Sequence, residues 1–351
     1  MPVTRIRAVL FEVETRCNLD CNYCYNAWKA VPDYPRGKLS TRKTIKMIRK
    51  MVQEAGADQV ALTGGEPLLR DDLPDIAASL RLHKVQVSVL TNGLLLDDSW
   101  ARDLLSTGVG LFQLTLLSTQ EKIHDAHCGK GAYQGIMKAL EILRRFGAKV
   151  AITVVVTKQS VDELPALIRF MHGIGQQTFL LNRYNPGGRR VKEGNFADLM
   201  LDKDETTRML RYAQEGARMY NMKPAVAVPI PPCVVDRKRY PQVRFAGCSA
   251  YTDNAYYTLD PLGNVRMCNH SPVILGNILD APFLEIANGP LCQEWLDVRP
   301  EFCVPCPGWA ACKGGCRAVA QQMGNPLTTL DPYVAANVGP MKPPAPSRRR
   351  P

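Results

Sequence analysis

The sequence lacks any long hydrophobic run. Its apolar stretches, such as the one from Val150 to Val156, are far shorter than the roughly 18 residues of a membrane-spanning helix. The N-terminal residues also lack the apolar stretch and small-residue cleavage site of a secretory signal peptide. These absences argue against a membrane or secreted protein and predict a cytoplasmic location.

Acidic residues are outnumbered, since 33 Asp and Glu accompany 44 Lys and Arg and the formal net charge is +11. A basic surface favours acidic partners, such as a peptide, a phosphorylated molecule or nucleic acid. The sequence has little of the clustered arginine and aromatic patterning that nucleic-acid binding needs, and three arginines lie in a Pro-rich tail over 336–351. We therefore expect no nucleic-acid partner, and we expect this basic tail to be disordered.

Alternation of strands and helices indicates the fold class. Six strand-like segments alternate with helical segments over residues 1–190, which predicts parallel strands with helices packed outside. We expect an α/β fold with a partial (β/α)6 barrel of the TIM type, short of the eight units of a closed barrel. A helical and Pro-rich bridge over 191–240 and a small cysteine-rich α+β cluster-binding domain over 241–335 should follow.

Twelve cysteines in a reducing compartment should be thiols or metal ligands rather than disulfides. Three of them, Cys17, Cys21 and Cys24, lie on a polar loop directly after the first predicted strand. Thiolates select iron–sulfur clusters, zinc or Cu(I), and a structural zinc ion normally has a fourth nearby ligand, which this loop lacks. Three thiolates fit a [4Fe–4S] cluster with one free iron; a zinc knuckle completed by a distant residue is the alternative.

The run Cys17-x3-Cys21-x-Tyr23-Cys24 resembles the signature of radical S-adenosylmethionine (SAM) enzymes. The resemblance implies that the free iron binds the amino and carboxylate groups of SAM. An electron from the cluster then cleaves SAM to a 5′-deoxyadenosyl radical, while the protein binds, orients and shields the cofactors. The resemblance also implies that Tyr23 packs near the cluster and the adenine.

Further segments resemble the SAM-binding motifs of this family. Gly64, Gly65, Glu66 and Pro67 match a Gly-Gly-Glu-Pro motif that holds the SAM amino group, although alone the segment reads as an ordinary turn. Polar residues also follow the third and fourth strands, at the barrel end where sites form. The resemblance places these near the ribose and carboxylate of SAM, and each has an ordinary turn as its alternative: Thr91, Asn92 and Ser118.

Six cysteines near the C-terminus have the spacing of a SPASM domain, the extension of radical SAM enzymes that binds auxiliary [4Fe–4S] clusters. The resemblance implies two groups of ligands, of which cluster I takes Cys248, Cys268 and Cys316 and cluster II takes Cys303, Cys306 and Cys312. A pair of zinc sites is the alternative. The family's seventh cysteine is absent, so cluster II takes a non-thiolate ligand such as Asp331, has a free iron, or is missing.

Cys128, Cys233 and Cys292 fall outside these patterns, and an isolated cysteine is most often a small buried residue. Cys233 lies in the Pro-rich bridge, where it could complete cluster I or donate a hydrogen atom to a substrate radical. Arg183, after the sixth strand, either meets an anionic group or is a surface charge.

These observations predict an oxidoreductase that abstracts hydrogen from a peptide, leading to a crosslink, an epimerisation or an oxidation. The alternatives are an enzyme that tailors a sugar or another small natural-product precursor, and a non-enzymatic metal-binding scaffold. An external flavodoxin- or ferredoxin-like electron donor is expected. Because the barrel begins near residue 7, a separate leader-recognition protein is an expected partner as well.

Overall fold

The computed structural model describes residues 2–252 and 255–338, which form one sheet flanked by helices. The described strands are β1 (Ala8–Glu14), β2 (Gln59–Gly64), β3 (Gln86–Leu90), β4 (Val109–Thr115), β5 (Val150–Val156), β6 (Thr178–Arg183), β7 (Lys223–Val226), β8 (Arg244–Phe245), β9 (Tyr256–Leu259), β10 (Asn264–Arg266) and β11 (Ile274–Asn277).

The described α-helices are α1 (Ala27–Ala30), α2 (Thr41–Ala55), α3 (Leu73–Leu82), α4 (Asp98–Ser106), α5 (Glu121–Cys128), α6 (Ala132–Arg145), α7 (Leu164–Gly173), α8 (Gly188–Glu193), α9 (Lys203–Tyr220), α10 (Phe283–Ala287), α11 (Pro290–Asp297), α12 (Trp309–Cys312), α13 (Arg317–Gln322) and α14 (Pro332–Val338).

Strands β1 to β6 are parallel and lie side by side in chain order, with helices in each connection. The order of the whole sheet is β11-β10-β9-β1-β2-β3-β4-β5-β6-β7-β8, so that β11 and β8 are its edges and the barrel is not closed. The expected α/β class and the partial barrel are confirmed. The carboxyl ends of the parallel strands meet at one end of the barrel, where a site is expected.

Alternation along each strand separates the core from the barrel interior. In β1, Val9, Phe11 and Val13 are buried in the hydrophobic core, which also contains Met47 and Met51 of α2. The side chains between them point the other way, because successive residues of a strand face opposite sides. The outer layer therefore holds the helices, and the inner face is left for a cavity.

The cysteine-rich region continues the barrel sheet instead of forming a sheet of its own. Strand β9 pairs in parallel with β1, with Ala8 opposite Tyr256, and β10 and β11 follow as antiparallel neighbours. Strand β7 of the bridge and the following strand β8 extend the opposite edge. Part of the segment that reads as a Pro-rich linker is therefore the strand β7. The boundaries at residues 190 and 240 stay a prediction.

Helix α14 includes residues 336–338, the first three of the predicted disordered tail. The rest of that tail lies outside the described residues. Within the part of the chain that the structure describes, no helix combines the length and the apolar content needed to cross a bilayer.

Candidate active site

A cavity of about 930 Å³ occupies the barrel interior. Inward-facing residues of β1 to β6 line its length, for example Leu10, Ser88 and Thr153. At the carboxyl end of the strands the lining includes most of the residues that resemble the SAM-binding motifs, namely Cys17, Cys21, Tyr23, Cys24, Gly64, Gly65, Thr91 and Asn92. The fold thus brings together residues from three separate loops.

The three thiols of the first cysteine loop influence one another. Burial raises the pKa of Cys17 to about 11, to which the neighbouring Glu66 and Cys21 add, and burial likewise raises the pKa of Cys24. The ammonium of Lys29 acts in the opposite direction on both thiols. Neutral thiols in this setting become thiolates when a metal centre supplies positive charge. The donor set therefore suits an iron–sulfur cluster.

Helix α5 packs against the first cysteine loop and supports it. The sequence did not reveal this contact. The backbone N–H of Asn22 donates to the His127 carbonyl at 2.8 Å, and the Tyr23 hydroxyl lies 3.5 Å from the Cys128 Sγ. The Cys21 Sγ approaches the carbonyl of Cys128 at 3.8 Å. Cys128 is buried, which fits a structural role. Its contacts also fix the positions of Cys21 and Tyr23.

Gly64 and Gly65 lie tightly against the chain that leads into the cysteine loop. A Cβ at Gly65 would lie 2.1 Å from the Arg16 carbonyl oxygen, and one at Gly64 would lie 2.2 Å from that of Glu14. The Asn26 side chain also donates to the Gly64 carbonyl at 3.0 Å. Both glycines are therefore required by a backbone-to-backbone contact, and that contact presents their main chain to the cavity.

The carboxylate of Glu66 is turned away from the cavity, and Glu66 is not among the lining residues. It accepts hydrogen bonds from the Thr91 hydroxyl at 2.6 Å and from the Asn92 backbone N–H at 2.9 Å. Burial raises the pKa of Glu66 to about 7, against the effect of these donors. Glu66 thus fixes the end of β3, and its contact with a SAM ammonium stays a prediction.

The other motif residues differ in position. The Asn92 side chain donates to the side-chain Oδ1 of Asn18 at 2.8 Å, so it reaches the cysteine loop. Pro67 is buried at the first position of a short 3-10 turn. Ser118 is fully buried, contacts Glu163 and the backbone of Gln120, and does not line the cavity. The contacts of Ser118 are those of a turn residue.

Three cysteines that we call the inner set, Cys248, Cys268 and Cys316, lie near one another. Burial, together with the neighbouring Cys268 and Cys316, raises the pKa of Cys248 to about 12. The set adjoins the barrel cavity through Asn185, whose Nδ2 lies 3.1 Å from the Cys316 Sγ. Asn185 and His270 both line the cavity and are 3.3 Å apart.

A buried ion pair flanks the inner set. Arg183 donates to the Asp331 carboxylate at 2.7 Å, both side chains are fully buried, and the guanidinium stacks on Tyr333 at 4.0 Å. The same carboxylate accepts from the backbone N–H groups of Cys316 and Tyr333. The surface-charge interpretation of Arg183 is therefore wrong. These contacts also count against Asp331 as a ligand of cluster II, a role that stays a prediction.

The other three predicted cluster ligands surround a second, small cavity, and we call them the outer set: Cys303, Cys306 and Cys312. Cys233 lines this cavity together with all three. Cys233 is not among the residues that line the large cavity, where a hydrogen-atom donor would have to lie. Cys292 is buried against Tyr257 and Met267, as expected of a structural cysteine.

Among the described residues, no three His, Cys, Asp or Glu side chains are arranged to hold a single metal ion. The thiolates of a four-iron cluster each bind a different iron and so stand further apart than the ligands of one ion. The inner and outer sets and the first loop all consist of buried or half-buried thiols.

The chain matches two family models and known proteins along most of its length. Residues 12–171 match the radical SAM superfamily, and residues 248–313 match SPASM, an iron–sulfur cluster-binding domain. The PqqA peptide cyclase of Granulibacter bethesdensis is 24% identical over 336 residues, 93% of this chain and 86% of the relative. The AdoMet-dependent heme synthase of Methanosarcina barkeri is 26% identical over 344 residues, 93% of this chain and 95% of the relative.

The same fold occurs in the crystal structure of Streptococcus suis SuiB bound to the precursor peptide SuiA. The TM-score is 0.74 at 18% identity, over 94% of this chain and 76% of that one. The two family matches fall on the barrel and on the cysteine-rich region, in the order that the motifs predict. The protein is therefore an enzyme, its cofactors are [4Fe–4S] clusters and SAM, and the scaffold alternative is not supported. The chain is a radical SAM enzyme with a C-terminal SPASM domain.

Proposed function

We propose that this enzyme uses SAM to abstract a hydrogen atom from a peptide substrate held in the barrel. One observation carries the proposal: a single cavity of about 930 Å³ reaches from the first cysteine loop to the neighbourhood of the inner set. A side chain of a peptide fits such a volume, which is in the range of ligand sites. The peptide side chain would lie between the first cysteine loop, where the radical is generated, and the inner set, which would accept the electron from the substrate radical.

Residues of the chain take distinct roles in this proposal. Cys17, Cys21 and Cys24 hold the cluster that binds SAM, and Tyr23 closes the space beside it. The backbone of Gly64 and Gly65 and the Asn92 side chain face the bound SAM, while Glu66 keeps Thr91 and Asn92 in place. When bound, the cluster supplies one electron that cleaves SAM to the 5′-deoxyadenosyl radical.

The inner and outer sets hold auxiliary clusters, and the inner set is placed to accept an electron from the substrate radical. Its neighbours Asn185 and His270 line the cavity, whereas no outer-set residue does so. The outer set would relay the electron outwards. An external flavodoxin- or ferredoxin-like protein is the expected donor for the SAM cluster.

The peptide class rests on the relatives. One relative is a PqqA peptide cyclase, and the fold is that of SuiB, which was solved with its precursor peptide. The net charge of +11 suits an acidic leader sequence, and a separate recognition protein would present it. None of the twelve cysteines forms a disulfide, which suits a reducing compartment such as the cytoplasm.

The test starts with anaerobic enzyme, a reductant, SAM and synthetic peptides translated from the short reading frames that neighbour the gene. We expect 5′-deoxyadenosine, and a substrate peptide should increase its yield and change mass. A crosslink or an oxidation removes two hydrogens, whereas an epimerisation in D2O replaces one hydrogen by one deuterium. The variant with Cys17, Cys21 and Cys24 changed to Ala should form no 5′-deoxyadenosine.

A glycine pair provides the matched control. Gly65→Ala forces a Cβ into the Arg16 carbonyl, so SAM cleavage should be lost, whereas Gly173→Ala meets nothing within 4 Å and should keep it. SAM cleavage that no peptide increases, together with turnover of a tetrapyrrole or another small molecule, would show that the peptide assignment is wrong.

A further inference from the structure

The outer set lacks a fourth thiol in its own segment of the sequence, because no cysteine follows Cys316. The fold supplies one from the bridge. Cys233 and the preceding Pro231 and Pro232 line the same small cavity as the three outer thiols, and the other lining residues are Phe302, Trp309, Gly314, Leu330 and Val334. Four thiols therefore surround one apolar space.

Backbone contacts hold Cys233 in this position. The N–H of Val234 donates to the Pro231 carbonyl at 3.0 Å, which makes a tight turn around Cys233. The bridge also packs on the loop after Cys306, since a Cβ at Gly308 would lie 3.9 Å from Pro232 Cγ and 3.6 Å from the Cys306 Sγ. The backbone position of Cys233 is thus set by the fold.

The charges around the cavity agree with this grouping. Cys233 is exposed as a residue, but partial desolvation of its thiol, together with Cys312 and Cys306, raises the pKa of Cys233 to about 11. Cys233 in return contributes to the raised pKa of Cys303. Cys233 therefore lies within electrostatic reach of the three outer thiols. The neighbouring thiols disfavour ionisation of Cys233 and Cys303, and the positive charge of bound iron would offset that effect.

The half-buried side chain of Arg237 lies next to the same thiols. Arg237 donates through Nε to the Ile230 carbonyl at 2.6 Å and attracts the thiolates of Cys312 and Cys233. Its Nη2 is buried and has no acceptor among the described residues. A buried donor without an acceptor costs free energy, and an anionic cluster with its sulfides would provide the acceptor.

We propose that Cys233 is the fourth thiolate ligand of the iron–sulfur cluster held by Cys303, Cys306 and Cys312. The inference rests on the proposed function in so far as the outer set holds a cluster. On binding, the Cys233 thiol releases its proton to solvent and the sulfur donates a lone pair to iron, with no change of oxidation state. Every iron then has a protein ligand, so this cluster does not bind substrate.

The test measures iron and spectra in a background that lacks the SAM cluster. With Cys17, Cys21 and Cys24 changed to Ala, the reconstituted protein should hold about eight irons, four per auxiliary cluster. Adding Cys233→Ala should lower this to about seven, with the EPR signal of an oxidised three-iron cluster, or to about four if the cluster is lost. The matched change Cys292→Ala, at another lone cysteine, should leave iron content and spectra unaltered.

A second measurement does not depend on how the variant folds. Cys233 is exposed, so iodoacetamide should label it in metal-free protein, and peptide mass spectrometry reports the site. In the reconstituted wild-type enzyme the labelling of Cys233 should be lost. Labelling of Cys233 in protein that retains about eight irons in the background above, or unchanged iron and spectra after Cys233→Ala, would overturn the proposal.

The outcomes separate this inference from the proposed function. Wild-type enzyme that makes no 5′-deoxyadenosine would defeat the proposed function while the iron count still reports on Cys233. Conversely, Cys233→Ala with intact clusters and normal SAM cleavage would defeat only the Cys233 assignment. A background variant that binds no more than about four irons with Cys233 intact would show that the outer set holds no cluster, which overturns the inference.

Discussion

The inner and outer cysteine sets have similar ligands and different surroundings. The inner set has three thiols, a side-chain amide 3.1 Å from Cys316, and a fully buried ion pair behind it. The outer set has a fourth thiol from the bridge and a lining of Pro, Phe, Trp, Leu and Val. Polar donors near a cluster raise its reduction potential, and a complete set of thiolates closes it to ligands. The two sets are therefore suited to different tasks, one beside the substrate and one as a closed relay.

The largest expected effect comes from breaking the buried ion pair behind the inner set. Arg183→Met leaves the Asp331 carboxylate buried without a cationic partner, and we expect a loss of about 3–5 kcal/mol in the free energy of unfolding. Urea denaturation under anaerobic conditions measures it. The double variant with Asp331→Leu should recover part of the loss, because no unpaired charge remains buried.

The control for that change is an exposed ion pair. Arg208 lies 3.3 Å from Asp162 at the surface, and Arg208→Met should cost less than about 1 kcal/mol. If Arg183→Met lowers the free energy of unfolding by as little as this control does, the ion pair does not distinguish the inner set from the outer set.

A smaller effect should follow from loosening the outer set. Arg299 donates to the carbonyls of Cys303 at 2.8 Å and Cys306 at 3.4 Å. Arg299→Gln should lower stability by about 1.5–3 kcal/mol and speed the loss of iron from one auxiliary cluster to a chelator. The rate of bleaching in the visible spectrum measures it. Arg244→Gln, at an exposed arginine of β8, should leave the rate unchanged, and an equal rate in both variants would contradict the role of Arg299.

The smallest expected effect concerns the reduction potential of the inner cluster. A donor beside a cluster sulfur stabilises the more negative, reduced state, so Asn185→Ala should make the potential more negative. A contribution of about 1.4 kcal/mol corresponds to roughly 60 mV for one electron. EPR-monitored titration should show the shift in one auxiliary cluster, with the other as the internal control. A shift in both, or in neither, would contradict the separation of the two sets.

Local sequence patterns were sufficient to predict the first cysteine loop and the strand–helix units of the barrel. The spacing of Cys17, Cys21 and Cys24 and the alternation of strands with helices are properties of short segments, so the sequence displays them directly. Pairing across the chain is different. Neither the contact between β1 and β9 nor the place of Cys233 beside Cys303 has a local signal, because both depend on how distant segments pack.

Which polar residues are buried could not be predicted from the sequence either. Arg183 reads as a surface charge or an anion ligand until Asp331 and Tyr333 are seen beside it. Glu66 matches a motif, yet its partners Thr91 and Asn92 come from the next strand. Asn185 follows a strand like many turn residues, and only the fold places its amide at Cys316.

Strand β1 connects the two metal regions of the molecule directly. Its carboxyl end leads into Cys17, its edge pairs with β9, and a buried ion pair joins Glu12 of β1 to Arg266 of β10. Backbone hydrogen bonds and a buried charge pair, not a hinge, therefore set the separation between the SAM site and the inner set. Because electron tunnelling falls off steeply with distance, the proposed function gives β1 the role of a fixed spacer, which would keep the transfer rate the same for different substrates in the barrel.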